Sequence, residues 1–205
     1  MIAIITGDII NSRKADAALW MKVLKGSLNT FGRSPKVWEI YRGDSFQLAI
    51  QDPEKVLQAL IILKSALKSI KGLDVRMAAG IGTISFSAAK ITESQGSAFQ
   101  LSGQQFDRLQ EEKKTMLIKT PWEAWNQTID VTLSLALTIM DNWSPGAAAV
   151  VHEMYQHPNL SQQELGQRLG IGQSSVSERQ GRAYIQEIQQ LENYFRQQTA
   201  QLIAG

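Results

Sequence analysis

Up to Thr120 the chain alternates between two hydrophobic periods, and beyond Pro121 only one of them survives. That change constrains the fold more than any composition figure does. A period near two places side chains on alternate faces of a strand, whereas a period near 3.6 gathers them on one face of a helix. The opening run "IAIITGDII" is rich in Ile and suits a strand buried on both faces. Leu19, Trp20, Val23, Leu24, Leu28 and Phe31 then recur at helical spacing, with Asn11 or Ser12 as the expected cap. "KVWEIYR" and "SFQLAI" form a hairpin around Gly43-Asp44. A helix opens at Pro53, runs through Val56, Leu60, Leu63, Leu67 and Ile70, and stops at Gly72. The strand "DVRMAAGIGTISF", a helix through Phe99, Phe106 and Leu109, and the short strand "TMLIKT" complete the series. The order β-α-β-β-α-β-α-β predicts an α/β (α+β) fold, a ferredoxin-like split βαβ sheet over residues 1-121.

From residue 122 every segment reads as helix. The expected connector, 122-143, carries Trp122, Trp125, Ile129, Leu133, Leu137 and Met140 on its apolar face. The expected third unit, 144-205, is a helical domain built on "NLSQQELGQRLGIGQSSVSERQGRA", which has helix-turn-helix spacing. Ser161 and Glu164 form a capping box, Leu165 and Leu169 supply the buried face, and Gly170-Ile171-Gly172 makes the turn. Val176 anchors the second helix, and one long helix is expected from Gln173 to the end. Gln173, Ser174, Ser175, Ser177, Arg179 and Arg182 are left to face outward, where short polar and Arg side chains reach bases and phosphates. No lysine follows Lys119, and the few arginines are matched by glutamates. Phosphate attraction supplies most affinity for DNA. So weakly charged a module needs pairing, and a homodimer is expected, formed through the connector and the last helix.

The first strand ends near Asp8, and the hairpin carries Asp44 at its tip. Asp44 alone serves a tight turn, and Asp8 alone a cap. On strands that lie side by side, however, the two carboxylates suit Mg²⁺ with nucleotide phosphates. Asn11, Ser12 and Arg13 lead toward a helix whose free N–H groups suit a phosphate, and Arg42 with Gly43 adds charge and room beside it.

"ITGDIINSR", "YRGDSFQLAI", "VRMAAGIGTI" and "ESQGSAFQLSG" resemble the catalytic domain of class III nucleotidyl cyclases. The resemblance implies that Asp8 and Asp44, with the carbonyl of Ile9, hold metal ions on a nucleoside triphosphate. The whole chain, sheet domain plus helix-turn-helix, is similar to the bacterial SatD family. Two departures from the cyclase pattern stand out. Ile40 occupies the place of the base-selecting residue, and the helix after "GIGTIS" offers Gln100 and Arg108 where cyclases carry the Asn and Arg that stabilise the transition state. These departures favour nucleotide binding without efficient turnover.

Composition excludes other classes. With 43% apolar and 20% charged residues and a net charge of +2, this is an ordinary globular composition without a strong overall field. There is no cysteine, so disulfides and Cys-based zinc sites are excluded. His152 and His157 are the only histidines, too few for a His-rich metal centre. The run "MIAIITGDII" is too short to span a bilayer and lacks a basic lead, so no membrane partner and a cytoplasmic location are expected. Two functions remain: a DNA-binding transcription regulator with a sheet domain that senses nucleotide and Mg²⁺, or a cyclase-like enzyme acting on ATP or GTP with its helices for assembly or control.

Overall fold

β1 (Ile2–Ile10) is the strand around which the sheet is arranged. In the computed structural model, which describes residues 1–205, β1 lies between β3 (Ser45–Ile50) and β4 (Asp74–Gly82). β2 (Trp38–Tyr41) lies outside β3, and β5 (Met116–Lys119) lies outside β4. β1 is antiparallel to both neighbours, while β5 is parallel to β4. This is the split βαβ order with one parallel strand added, as the sequence order requires. The poor alternation in β1 has a physical cause: both of its faces are covered. Ala3, Ile5 and Ile9 enter the core beneath α1 (Ala17–Asn29) and α2 (Val56–Lys68). Ile2 and Ile4 pack with Ala98 of α3 (Ser97–Glu112) on the other face. The glycines of "GIG" let α3 settle on β4, since a Cβ on Gly80 would lie 2.4 Å from the carbonyl of Ala98.

The helices after Pro121 are α4 (Glu123–Met140), α5 (Pro145–Gln156), α6 (Gln162–Leu169), α7 (Gln173–Arg182) and α8 (Ile185–Ala204). The chain changes character at residue 121, but the core does not break there. One hydrophobic cluster runs from the sheet through α2 to Leu133, Met140, Val151, Ile188 and Phe195. α2 is the shared wall. From Val56 to Leu67 only Gln58 escapes burial, because the sheet and α1 cover one side while α5 and α8 cover the other. A helix apolar all round is one that is covered all round. Trp125 ties α4 to α8. Its Nε1 donates to Thr199 Oγ1 at 3.2 Å, and its ring packs against Phe195 and Tyr194.

Three local expectations are corrected. α1 is capped by Asp16, whose Oδ1 accepts from the Ala18 N–H at 2.9 Å; Asn11 and Ser12 belong to a separate short 3-10 turn. β4 ends at Gly82, and the following residues leave the sheet. The long terminal helix is two helices. Tyr184 adopts φ +49°, and the carbonyl of buried Ala183 accepts a hydrogen bond from Trp143 Nε1 at 3.0 Å. Burial of Ala183 and Ile185 on either side of the break outweighs the continuous helical pattern of the sequence.

One ion-pair cluster locks α4 onto the sheet. Lys64, at 0% exposure, points from α2 to Asp74 at 3.0 Å, Asp141 at 2.6 Å and Thr115 Oγ1 at 3.2 Å. Lys68 adds a bond to Asp74 at 3.0 Å and another to the carbonyl of Asp141 at 2.8 Å. Thr115 in turn donates to Asp141 at 2.7 Å. Every hydrogen of the Lys64 ammonium has an acceptor, which offsets the cost of its desolvation. Lys64→Ala leaves two partly buried carboxylates underpaired and a hole in the core, and is expected to cost about 3 kcal/mol in urea unfolding followed by circular dichroism. Lys55→Ala, which removes an exposed pair with Asp52, is expected to cost about 1 kcal/mol or less.

Glu192 is buried in α8, and its Oε1 has no hydrogen-bond partner. Burial raises its pKa, and Arg196 only partly opposes that. A folded pKa above the unfolded value means that stability is fully present below the unfolded pKa and falls as pH rises through the folded one. Glu192→Gln is therefore expected to raise the melting temperature at neutral pH, with a gain that shrinks as the pH approaches the ordinary carboxylate range.

Candidate functional site

The antiparallel ladders bring the two predicted carboxylates to one end of the sheet. Asp8 pairs across β1 with Ser45 on one side and Arg76 on the other. The hairpin turn places Arg42 at φ +53° and Gly43 at φ +93°, and its Asp44 carbonyl accepts from the Ile9 N–H at 3.2 Å. Tyr41 faces Ser45, so Tyr41, Ser45, Asp8 and Arg76 form one row across four strands, on the α3 face of the sheet.

What the row does to Asp8 was not foreseen. Arg76 clasps the carboxylate with both ends of its guanidinium: Nε donates to Oδ1 at 2.9 Å, and Nη2 donates to Oδ2. The bond to Asp8 raises the Arg76 pKa, with the charges of Asp8 and Asp44 adding to it. Burial raises the Tyr41 pKa, and the negative charge of Asp8 adds while Arg42 opposes. Arg76 was legible in principle. It is a charge inside the otherwise apolar run "VRMAAG", and a charge in a covered strand requires a partner.

The predicted ligands of phosphate divide into two groups. Ser12 Oγ donates to Asp44 Oδ2 at 2.6 Å, and Asn11 Nδ2 donates to the carbonyl of Gly72 at 3.1 Å. Both are thereby committed to the protein. Arg13, Arg42 and Gly43 are exposed at the same end. α1 begins at Ala17, so the segment from Asn11 to Lys14 is a short 3-10 turn and not the first turn of α1. Gln100 sits near the start of α3, beside the far end of β4, and Arg108 is held by Gln105 and Glu112 of its own helix. No group of three or more His, Asp or Glu side chains converges to hold a metal. Asp8 with both oxygens engaged does not fit a two-metal centre; Asp44 keeps Oδ1 free.

The helix-turn-helix assembles as its spacing predicts. α5, α6 and α7 pack around Val150, Leu165 and Val176, with Leu160, Leu169 and Ile171 closing the edges. Both halves of the capping box form: Ser161 N donates to Glu164 Oε2 at 2.7 Å, and Glu164 N donates to Ser161 Oγ at 3.3 Å. The Ser161 hydroxyl, which also donates to Glu164 Oε2 at 2.7 Å, and the Ser161 N–H lower the Glu164 pKa. Gly170 ends α6 at φ +65°, a conformation that favours glycine. Gly166 is the residue that sequence reasoning passed over. A Cβ there would lie 2.6 Å from the carbonyl of Ile171, so the turn closes only over a glycine.

The six predicted DNA-facing residues are not equivalent. Gln173, Ser174, Ser177 and Arg182 are exposed, while Ser175 and Arg179 are half-buried. The Arg179 guanidinium lies back over Gly146 at the start of α5, a packing position. Gln173 is held by Gln162 at 3.0 Å, and Gln162 by Gln180 at 2.6 Å. Arg182 pairs with Glu178 at 2.6 Å. From residue 144 onward there are four arginines and five glutamates, with no lysine or aspartate. His152 is half-buried, and burial lowers its pKa; His157 lies 3.7 Å from Glu153. Neither histidine joins a metal-binding group.

The chain matches no family model and no curated protein.

Arg76→Ala is expected to free Asp8 next to Asp44, leaving a carboxylate pair that attracts a hard cation. Thermal melts with and without millimolar Mg²⁺ check this: the variant is expected to gain more from Mg²⁺ than the wild type, and Arg76→Ala with Asp8→Asn to lose that gain.

Proposed function

We propose that the protein is a DNA-binding transcription regulator in which α6 and α7 engage duplex DNA, with α7 entering the major groove. The observation that carries this reading is the conjunction of capping box, glycine turn and Val150–Leu165–Val176 core, which leaves Gln173, Ser174, Ser177 and Arg182 exposed on one helix. Helix N-terminal residues of this size contact base edges in helix-turn-helix proteins, and an Arg near the end of the helix reaches phosphates. The near-neutral charge of the unit points to modest affinity per copy.

The sheet end is, in this reading, a sensor. Arg13 and Arg42 are exposed cations next in sequence to Ser12 and to the turn that carries Asp44, which suits a nucleotide polyphosphate with a single Mg²⁺. The enzyme reading draws less support. Arg76 neutralises Asp8, and Arg108 is bonded to Gln105 and Glu112 of its own helix, so neither charge is free to stabilise a phosphoryl transition state.

Selection of bound duplexes from a randomised library, followed by fluorescence anisotropy, tests the DNA assignment. Arg182→Ala is expected to weaken binding about tenfold with an unchanged melting temperature and a shallower salt dependence. Arg179→Ala is expected to lower the melting temperature as well. No enriched sequence, and no binding even at low salt, would remove the assignment.

A further inference from the structure

The outer face of α4 carries a pattern that its role within one chain does not use. Its inward residues, Trp125, Ile129, Leu133, Ala136, Leu137 and Met140, are consumed by the core. On the opposite side, Ala124, Thr128, Val131, Leu135, Thr138 and Asn142 follow one another at steps of four, three, four, three and four. That is the spacing of a coiled-coil seam, and no charge interrupts it. Val131 and Leu135 at its centre are 63% and 65% exposed, the most exposed of the chain's large hydrophobic side chains.

The seam is flanked by two unlike grooves. On one side lies an apolar groove of about 230 Å³, between Thr132, Ala136 and Ile139 of α4 and Ile188 and Leu191 of α8, with Glu187 at its rim. On the other side, Lys113 and Lys114 stand beside Ser134, Thr138 and Asn142, at the C-terminal half of α4. Asp130 projects on this second flank, nearer the N-terminus of the helix. It is exposed and in no ion pair, as is Lys113.

We propose that this face is where a second copy of the chain docks, with the two α4 helices antiparallel. Charge complementarity and the helix dipoles support the orientation. A two-fold axis across the seam sets Val131 of each copy against Leu135 of the other, and brings each lysine-bearing flank against its own equivalent with the direction reversed. Asp130 of one copy then meets Lys113 of the other. Antiparallel packing also sets the helix dipoles head to tail. At about 1.5 Å per residue the seam is roughly 27 Å long, enough for a two-helix contact with Leu135 seated as a knob. The proposal does not rest on the DNA reading.

Sedimentation equilibrium of the full chain tests it. The wild type is expected to dimerise at micromolar concentration, and Leu135→Asp to be monomeric with unchanged helicity. Asp130→Lys is expected to weaken the dimer at least tenfold, and Lys113→Glu added to Asp130→Lys to restore it, since the swap rebuilds the pair in the antiparallel dimer alone. A monomeric wild type, or a dimer that survives Leu135→Asp, overturns the docking face. Loss of dimer in Asp130→Lys without rescue by Lys113→Glu overturns the orientation. Because DNA is absent from the measurement, its failure stands apart from failure of DNA binding.

Discussion

The ammonium of Lys64 is the point on which the two parts of this molecule are joined. It emerges from a helix that is otherwise apolar and meets a carboxylate at the start of β4, another at the end of α4, and the hydroxyl that opens β5. Sheet, central helix and trailing helices thus share one buried charge. Such a contact adds little net stability compared with an apolar replacement of equal volume, but it is intolerant of misplacement. An α4 rotated or shifted by one residue would leave Asp141 out of reach and Lys64 underpaired. The position of everything after Pro121, including α5 and hence α6 and α7, follows from that single registration.

The ion pair two residues further along β4 works differently. Asp8 and Arg76 meet at one end of the sheet, partly open to solvent, in a two-point contact. The arrangement keeps a carboxylate in place while withholding it from metal ions. Anything that binds there must compete with a guanidinium already in the best geometry, or accept Asp44 as its only free carboxylate.

Much of this was legible. The strand order, the hairpin at Gly43-Asp44 and the helix-turn-helix all follow from periodicity and turn chemistry, which are local. The approach of Asp8 to Asp44 was legible as well, because the split βαβ order leaves the hairpin nowhere else to pair. Less visible were the features set by tertiary context. Arg76 becomes the partner of Asp8 only through the β1–β4 register. The break at Tyr184 depends on an indole forty residues away in sequence. The cap of α1 passed to Asp16 because Asn11 and Ser12 were drawn to Gly72 and Asp44. Arg179 resembles a DNA contact in a linear reading, and only the position of Gly146 shows that it packs inward.

The all-round burial of α2 has a practical meaning for dissecting the molecule. A gene cut at the visible change of composition near Pro121 would produce two fragments that each lose half of a common wall. The first would expose the side of α2 that α5 and α8 now cover; the second would expose the faces that fit against it. Neither piece would be a faithful stand-in for its region of the intact chain. Genetic complementation with halves, or residues 144-205 expressed alone, would report on aggregation. The functions of this chain are separable by point substitution but not by scissors.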